Sequence, residues 1–145
     1  MSKKIYILNG PNLNLLGVRE PHIYGSETLE DIKKRCIERA LAYGIEIEFR
    51  QSNYEGAIIE SIHEARLDGS AIIINPAAYT FTSIAILDAL KTFDKPIIEL
   101  HISNVHKREE YYHKSYVSKV ATAVMAGLGA DGYVLAVDAL AMKLK

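Results

Sequence analysis

The stretch Ala71-Ile72-Ile73-Ile74, followed at once by Asn75-Pro76, decides the fold of this chain. A short, continuous apolar run rich in β-branched residues is typical of a strand that is buried on both faces. Such a strand lies in the middle of a parallel sheet, because helices pack on both sides of that kind of sheet. The polar residues that follow are then expected at the carboxyl edge of the sheet.

Four other segments also have the length and composition of strands. With the central one, the strands are predicted at residues 5–8, 45–49, 71–74, 97–101 and 120–125. Apolar residues recur with helical spacing after every strand except the one at 97–101. The first long helix is predicted to begin at Ser26 or Thr28 and to stop at Gly44. The others are predicted to run up to Asp68-Gly69, over residues 83–93 and over residues 130–144. Alternating strands and helices indicate an α/β fold: a flavodoxin-like, doubly wound parallel sheet of order 2-1-3-4-5, with the second strand at an edge.

Composition narrows the classes of protein that this chain can belong to. Its 145 residues predict a single domain, residues 1–145, and a hydrophobic share of 49% is sufficient for a packed core. A net charge of -1 gives no basic surface for nucleic acid, and no apolar run has the length of a membrane span. Cys36 is the single cysteine, which excludes an internal disulfide and favours the cytoplasm. The histidines form no ligand pattern with it, so no metal site is expected.

Polar connections follow the three strands expected nearest the centre of the sheet. They comprise residues 9–14, 75–83 and 101–104. The carboxyl ends of parallel strands meet at one edge of the sheet, so these three connections are expected to lie together. Asn12, Asn75 and Ser103 offer neutral hydrogen bonds there for a polyhydroxylated or carboxylated substrate. The first connection is long for its kind and contains Arg19 and Tyr24, which turn formation does not require. This convergence predicts a ligand site.

The reactive side chains of this edge suggest proton transfer. The charge of Arg19 would lower the pKa of Tyr24 from the usual value of about 10 and make it a base. His101 would be the matching acid, with Glu99 on the same face of the strand to orient it. A base and an acid without a nucleophile predict elimination. Each residue also has a simpler interpretation: Tyr24 as an anchor of its loop, His101 as a solvated or structural histidine, and Glu99 as a surface carboxylate. The mixed charges at residues 107–110 are interpreted as a solvated face.

Ordered motifs along nearly the whole chain resemble the type II 3-dehydroquinate dehydratases. They include Asn9-Gly-Pro-Asn-Leu-Asn-Leu-Leu-Gly17, Arg19-Glu-Pro21, Ile23-Tyr-Gly25, Gln51-Ser-Asn53, Asn75-Pro76, Thr82-Ser83, Ser103-Asn104, Arg108-Glu-Glu110 and Gly127-Leu-Gly129. The resemblance implies a flavodoxin-like subunit in a homododecamer, a tetramer of trimers. It implies cofactor-free, reversible elimination of water from 3-dehydroquinate to 3-dehydroshikimate through an enolate, in the shikimate pathway or in quinate breakdown.

The same resemblance implies the catalytic residues. Tyr24 matches the base that removes a proton from C2, and Arg19 matches the residue that supports the tyrosinate. His101 matches the acid that protonates the departing C1 hydroxyl, with Glu99 behind it. Asn12 matches the residue that holds a water molecule near the enolate oxygen.

The resemblance also implies the substrate-binding residues. Asn75 and the backbone N–H groups of Ile102 and Ser103 match one clamp, and Asp88 matches a residue that reaches the site of a neighbouring subunit. Gly is frequent in the family where this chain has Ala77.

Two departures from the family lie at the hydroxyl end of the expected pocket. Phe81 stands where the family usually has His, and Tyr112 stands where it usually has Arg. Lost polar partners cost about 1–3 kcal/mol each if nothing replaces them. Three accounts are open: an active dehydratase with weaker binding, a paralogue for a less polar analogue, and a site altered by mutation. We favour the first, and expect Phe81 and Tyr112 to set affinity and not the chemical step. A flavodoxin-like binding protein without activity is a fourth account, which the complete base and acid set disfavours.

Replacement of Tyr24 by Phe is expected to remove most turnover and to leave ligand binding nearly intact. The hydroxyl is the expected base, and a positioned base contributes about 10²–10⁴-fold to rate. Steady-state kinetics with titration of the product as a ligand will measure both quantities. Turnover at the rate of the unaltered protein would move the base to another residue.

Overall fold

A computed structural model of the protein describes residues 2–18, 20–24 and 26–145, with Tyr24 described by its backbone alone. Within these ranges, five strands form one parallel sheet in the order β2-β1-β3-β4-β5. The strands are β1 (Lys3–Asn9), β2 (Ile45–Gln51), β3 (Ala71–Asn75), β4 (Ile97–His101) and β5 (Ala123–Ala126). The predicted flavodoxin-like order, the central β3 and the edge position of β2 are confirmed.

Helices cover both faces of the sheet. They are α1 (Pro21–Tyr24), α2 (Leu29–Leu41), α3 (Glu55–Asp68), α4 (Ile84–Leu90) and α5 (Asp131–Lys143). Ile73 packs on one face in a cluster with buried residues of α2 and α5, whereas Ile72 and Ile74 pack on the other face with residues of α3 and α4. Every residue of β3 is buried, as its composition predicted.

Two helices, α2 and α4, are each capped at the start by a side-chain hydroxyl. Thr28 caps α2: its hydroxyl accepts a hydrogen bond from the Asp31 backbone, and the Asp31 carboxylate accepts one from the Thr28 backbone. This reciprocal pair satisfies two backbone donors that a helix start leaves without partners. Ser83 caps α4 with one hydrogen bond, which its hydroxyl accepts from the backbone N–H of Ile86. Thr28, and not Ser26, is therefore the cap of the first long helix.

Three predicted boundaries differ from the structure. β5 begins at Ala123 and not at Val120, because the backbone N–H groups of Val120 and Ala121 bond back to Val117 in a tight turn. The chain joins the sheet only where Thr122 donates to the carbonyl of Ile97. The α4 helix ends at Leu90, short of the predicted residue 93. The first long connection also contains helical turns, at Leu13–Leu15 and in α1.

A buried hydroxyl joins the carboxyl ends of β1 and β3. Tyr133 of α5 is fully buried; its hydroxyl donates to Asn9 Oδ1 over 2.7 Å and accepts from Asn75 Nδ2 over 3.0 Å. Burial raises the pKa of Tyr133, so the phenol stays protonated at ordinary pH. Asn9 and Asn75 are paired in register on the neighbouring strands. The hydroxyl therefore fixes both amides at the edge where the polar connections begin.

Replacement of Tyr133 by Phe is expected to lower the free energy of unfolding by about 1–3 kcal/mol, because two buried amides each lose a partner. Urea denaturation will measure the change. The matched control is Tyr43→Phe, which removes an exposed hydroxyl bonded to Asp138 and should cost less than about 1 kcal/mol. Equal effects of the two substitutions would contradict this account.

Candidate active site

A cavity opens at the carboxyl edge of the sheet, where the connections after β1, β3 and β4 meet. Its lining consists of Pro11, Asn12, Leu13 and Leu16 after β1, Asn75, Ala77, Ala78 and Phe81 from β3 onward, and His101, Ile102, Ser103, Val105, Arg108 and Tyr112 from β4 onward. Seven predicted site residues are among them: Asn12, Asn75, Phe81, His101, Ile102, Ser103 and Tyr112. The predicted convergence of the three connections therefore takes place.

Asn12 adopts a left-handed backbone conformation at the cavity wall, with φ of 70°. Its backbone N–H donates to Asn53 Oδ1 over 3.0 Å, and Gln51 Nε2 donates to the same oxygen over 3.2 Å. Tyr79 holds Asn53 from the other side by donating its hydroxyl to the Asn53 carbonyl over 2.7 Å. The connection after β2 thus supports Asn12 in a conformation that asparagine tolerates better than most residues.

The Asn75 amide has a fixed orientation. Its Nδ2 donates to the Tyr133 hydroxyl, and its Oδ1 accepts from the Ala77 backbone over 3.2 Å. Since an amide nitrogen carries two hydrogens, one donor remains for a ligand. Ala77 has φ of 52°, a left-handed conformation that a glycine adopts more easily than an alanine does.

His101 and Glu99 form a buried pair at the end of β4. The Nε2 atom of His101 lies 2.6 Å from Glu99 Oε2, and both residues are at most 5% exposed. Ser115 donates its hydroxyl to Glu99 Oε2 over 2.9 Å, and Ser118 donates to Oε1. Burial opposes ionisation of Glu99, but the hydrogen bonds from His101, Ser118 and Ser115 outweigh it and hold the Glu99 pKa below its usual value. Glu99 is thus an ionised partner of His101 and not a surface carboxylate.

Aromatic rings form the wall of the cavity beside His101. The Phe81 ring stacks on the His101 imidazole, with centroids 5.9 Å apart and planes 24° apart, and meets the Tyr112 ring edge-on at 5.4 Å. The Arg108 guanidinium carbon lies 3.8 Å from the centroid of the Tyr112 ring. The interpretation of residue 108 as part of a solvated face is therefore wrong, since Arg108 lines the cavity. The Phe81 ring therefore packs beside the expected acid.

Four predicted site residues are not among the described residues that line this cavity, and one of them, Glu99, lies behind His101. Arg19 lies outside the described residues, and so does the side chain of Tyr24; the backbone of Tyr24 belongs to α1. Asp88 is exposed on α4, where its carboxylate lies 3.9 Å from Lys91 Nζ. It is absent from the lining of the cavity among the residues that the structure describes.

Several residues that support the site were not predicted from the sequence. Asn53, Arg108, Ser115, Ser118 and Tyr133 each contact a predicted site residue. Asn53 and Arg108 lie in motifs that resemble the family, which was the available signal; Tyr133 and Ser118 gave none beyond ordinary helix and loop composition. Over the described ranges, no group of three or more His, Cys, Asp or Glu side chains is arranged to hold a metal ion. None of the helices there has the length and apolar character needed to cross a membrane.

Fold and cavity together define a doubly wound α/β protein with a buried acid–carboxylate pair at the carboxyl edge of its sheet. The chain belongs to the class II dehydroquinase family, whose model matches residues 3–141. It is 61% identical over 137 residues to the 3-dehydroquinate dehydratase of Cereibacter sphaeroides (strain ATCC 17029), across 94% of this chain and 93% of that one. The 3-dehydroquinate dehydratase of Streptomyces coelicolor is 57% identical over 138 residues, across 94% and 88% of the two chains.

Solved structures agree with this assignment. The type II dehydroquinase of Propionibacterium acnes superposes with a TM-score of 0.94 at 48% identity, over 98% of each chain. A 3-dehydroquinate dehydratase-like protein from Bifidobacterium longum superposes with a TM-score of 0.74 at 31% identity, again over 98% of each chain. The fold assigned from the sequence is therefore that of the family.

Replacement of Asn53 by Ala is expected to lower the kcat/KM of the proposed dehydration by up to about tenfold, because the Asn12 backbone loses a hydrogen bond of about 0.5–1.5 kcal/mol. Tyr54→Phe is the matched control, since it alters an exposed ring on the next residue. Steady-state kinetics of both variants will test the support that Asn53 gives. An Asn53→Ala enzyme with unaltered kcat/KM would show that Asn12 holds its conformation unaided.

Proposed function

We propose that this chain is a 3-dehydroquinate dehydratase, a hydro-lyase that eliminates water from 3-dehydroquinate to give 3-dehydroshikimate. The observation that carries the proposal is the buried His101–Glu99 pair at a cavity that also presents Asn12 and Asn75, in a chain 61% identical to a 3-dehydroquinate dehydratase. An acid with a carboxylate partner beside neutral hydrogen-bonding groups suits the departure of a hydroxyl from a polar, carboxylated ring. The whole chain is proposed to act as one catalytic domain.

The first step in this proposal is the removal of a proton from C2 of the substrate. Tyr24 acts as the base in its ionised form, and the positive charge of Arg19 favours that form. The electron pair of the C2–H bond moves toward the carbonyl and produces an enolate. Asn12, at the cavity wall, orients a water molecule toward the enolate oxygen, where hydrogen bonding stabilises the developing charge.

The second step expels the C1 hydroxyl as water. His101 donates a proton to the departing oxygen while the enolate electrons form the new double bond. Because His101 Nε2 is held by Glu99, Nδ1 is the nitrogen that serves the substrate. The Glu99 charge supports the imidazolium form before the transfer. At the end Tyr24 has gained a proton and His101 has lost one, and exchange with water restores both. The acid and the base supply the chemistry, so the proposed mechanism uses no cofactor and no metal ion.

Substrate recognition is proposed to differ between the two ends of the cavity. The Asn75 amide and the backbone N–H groups of Ile102 and Ser103 bind the carboxylate end. Phe81 and Tyr112 face the hydroxyl end, where a phenyl ring offers no hydrogen bond and Tyr112 offers one hydroxyl. We therefore propose an active dehydratase whose hydroxyl end binds substrate less tightly than polar side chains would.

Assembly is proposed to complete the site. The Asp88 side chain is exposed and lies outside the cavity of its own chain, as expected for a residue that reaches a neighbour's site. We propose a homododecamer built as a tetramer of trimers, in which Asp88 serves an adjacent subunit. We also propose a cytoplasmic location, supported by Cys36, a buried free thiol whose pKa is raised by burial to about 12.

The decisive experiment follows the ultraviolet absorbance of the conjugated enone product after addition of 3-dehydroquinate. Turnover by the unaltered protein, undiminished by a strong chelator, supports the proposal. His101→Ala should lower kcat by about 10²–10⁴-fold, whereas Tyr43→Phe, far from the cavity lining, serves as the unaffected control. Absence of turnover, or turnover that requires added divalent metal, would refute the proposed function.

Two substitutions at Phe81 are expected to separate recognition from support of the acid. Phe81→His keeps a ring and adds hydrogen-bonding groups, so KM for 3-dehydroquinate should fall by up to about tenfold, the worth of one hydrogen bond. Phe81→Leu keeps an apolar side chain but loses the stack on His101, so kcat should fall while KM stays nearly constant. Steady-state kinetics will decide. An unchanged KM in Phe81→His would assign this wall to a less polar substrate.

The proposed assembly gives a prediction about mass and about Asp88. Light scattering should report about twelve times the chain mass of 16.2 kDa. Asp88→Ala should raise KM without a change in that mass, because the carboxylate is expected at a neighbour's pocket. The control is Asp94→Ala, which removes an exposed carboxylate shortly after the end of α4. A monomer with full activity would contradict the shared site.

A further inference from the structure

A second cavity meets the substrate cavity at His101 and gives access to the partner of that histidine. Its lining includes Glu99, Ser115 and Ser118 in addition to His101. Glu99 itself is 1% exposed, although several residues around this second cavity are exposed to solvent. The proposed mechanism uses Glu99 and His101 but assigns nothing to the two serines.

Glu99 lies in an environment that would ordinarily neutralise a carboxyl group. Its paired residues on the neighbouring strands are Ile74 of β3 and Val124 of β5, which offer no hydrogen bond from their side chains. A buried carboxylate is costly unless donors satisfy its oxygens. Three side chains do so: His101 and Ser115 at Oε2 and Ser118 at Oε1. Two of the three donors are therefore hydroxyls from the segment after β4.

We propose that Ser115 and Ser118 are positioning residues that keep the Glu99 carboxylate ionised behind His101, and so keep His101 ready to act as the acid. The proposal deepens the proposed function and rests on it. A serine hydroxyl that donates to a carboxylate favours the charged form of that carboxylate. Loss of a hydroxyl would raise the Glu99 pKa toward neutrality, and a protonated Glu99 would no longer balance the imidazolium charge of His101.

Other charged groups around this second cavity act in the opposite direction. The basic side chains that line this second cavity with Glu99 are Lys119, His106 and His113. Positive charge near Glu99 lowers its pKa. The acidic limb of the pH–activity profile is the part in which activity falls as the pH is lowered. An upward shift of this limb in a serine variant would come from the missing hydroxyl, because the basic neighbours are the same in every variant.

The experiment compares the pH dependence of kcat in Ser118→Ala, in the Ser115→Ala/Ser118→Ala double variant and in the unaltered protein. The proposed mechanism requires both Tyr24 and Glu99 to be ionised, so kcat should fall in two steps on the acidic side of the profile. The step at lower pH belongs to Glu99 and should move to higher pH by about one unit for each hydroxyl removed, which corresponds to one charge-assisted hydrogen bond. Ser118→Thr retains the hydroxyl and should restore the limb. Ser70→Ala, whose hydroxyl accepts from the Lys4 backbone away from the cavity, is the matched control.

Ser118→Ala is the primary variant because the Ser115 hydroxyl has a second function. It accepts a hydrogen bond from the Ser118 backbone over 3.0 Å, so its loss also disturbs the local turn. A purely structural effect would lower activity at every pH and leave the limb in place. That result in a Ser118→Ala protein with the same melting temperature as the unaltered protein would overturn the proposal.

A readout without turnover separates this inference from the proposed function. The carboxyl carbon of Glu99, observed by NMR in ¹³C-labelled protein, should titrate at higher pH in Ser118→Ala than in the unaltered protein and at still higher pH in the double variant. That result supports the serine clamp even if 3-dehydroquinate is not turned over, in which case only the proposed function fails. An identical midpoint in all three folded proteins would overturn the clamp whatever their activity.

Discussion

The Tyr133 hydroxyl is the contact on which the geometry of the site depends. It is shared between Asn9 at the end of β1 and Asn75 at the end of β3, and all three side chains are buried. Burial keeps the phenol protonated, so one atom both donates and accepts. Since α5 provides this hydroxyl, a helix from the end of the chain fixes the two strands that begin the cavity.

The cavity combines two environments with opposite physical demands. The His101–Glu99 pair needs a full set of hydrogen bonds, because an ionised carboxylate in an apolar sheet is stable only when its oxygens are satisfied. The Phe81 and Tyr112 rings need close packing and make few hydrogen bonds. The Phe81 ring connects the two, since it lies directly on the imidazole. A substitution at Phe81 therefore also changes the surroundings of His101.

Much of the site was predictable because chain order and strand direction place residues together. Asn75 and His101 end β3 and β4, and parallel strands bring such ends to one edge. Glu99 was predictable as the partner of His101 from the two-residue period of a strand. The start of β5 was not, because Val120 and Ala121 are apolar like a strand but turn back on Val117. Local composition does not reveal where a chain first finds a free edge of the sheet.

By itself the sequence determined the parallel sheet, its strand order and the identity of the polar groups at its carboxyl edge. Burial on both faces requires an apolar run such as residues 71–74, and the polar residues that follow such a run lie at the carboxyl edge. The tertiary structure alone decided which of the remaining side chains meet there. The Arg108 guanidinium lies over the Tyr112 ring, and the Ser118 hydroxyl donates to Glu99. The Tyr133 hydroxyl, from the last helix, donates to Asn9. The contacts of Ser118 and Tyr133 join residues 19 and 124 positions apart in sequence. The geometry of all three contacts follows from the packing of α5 and the segment after β4 against the sheet, which no local pattern encodes.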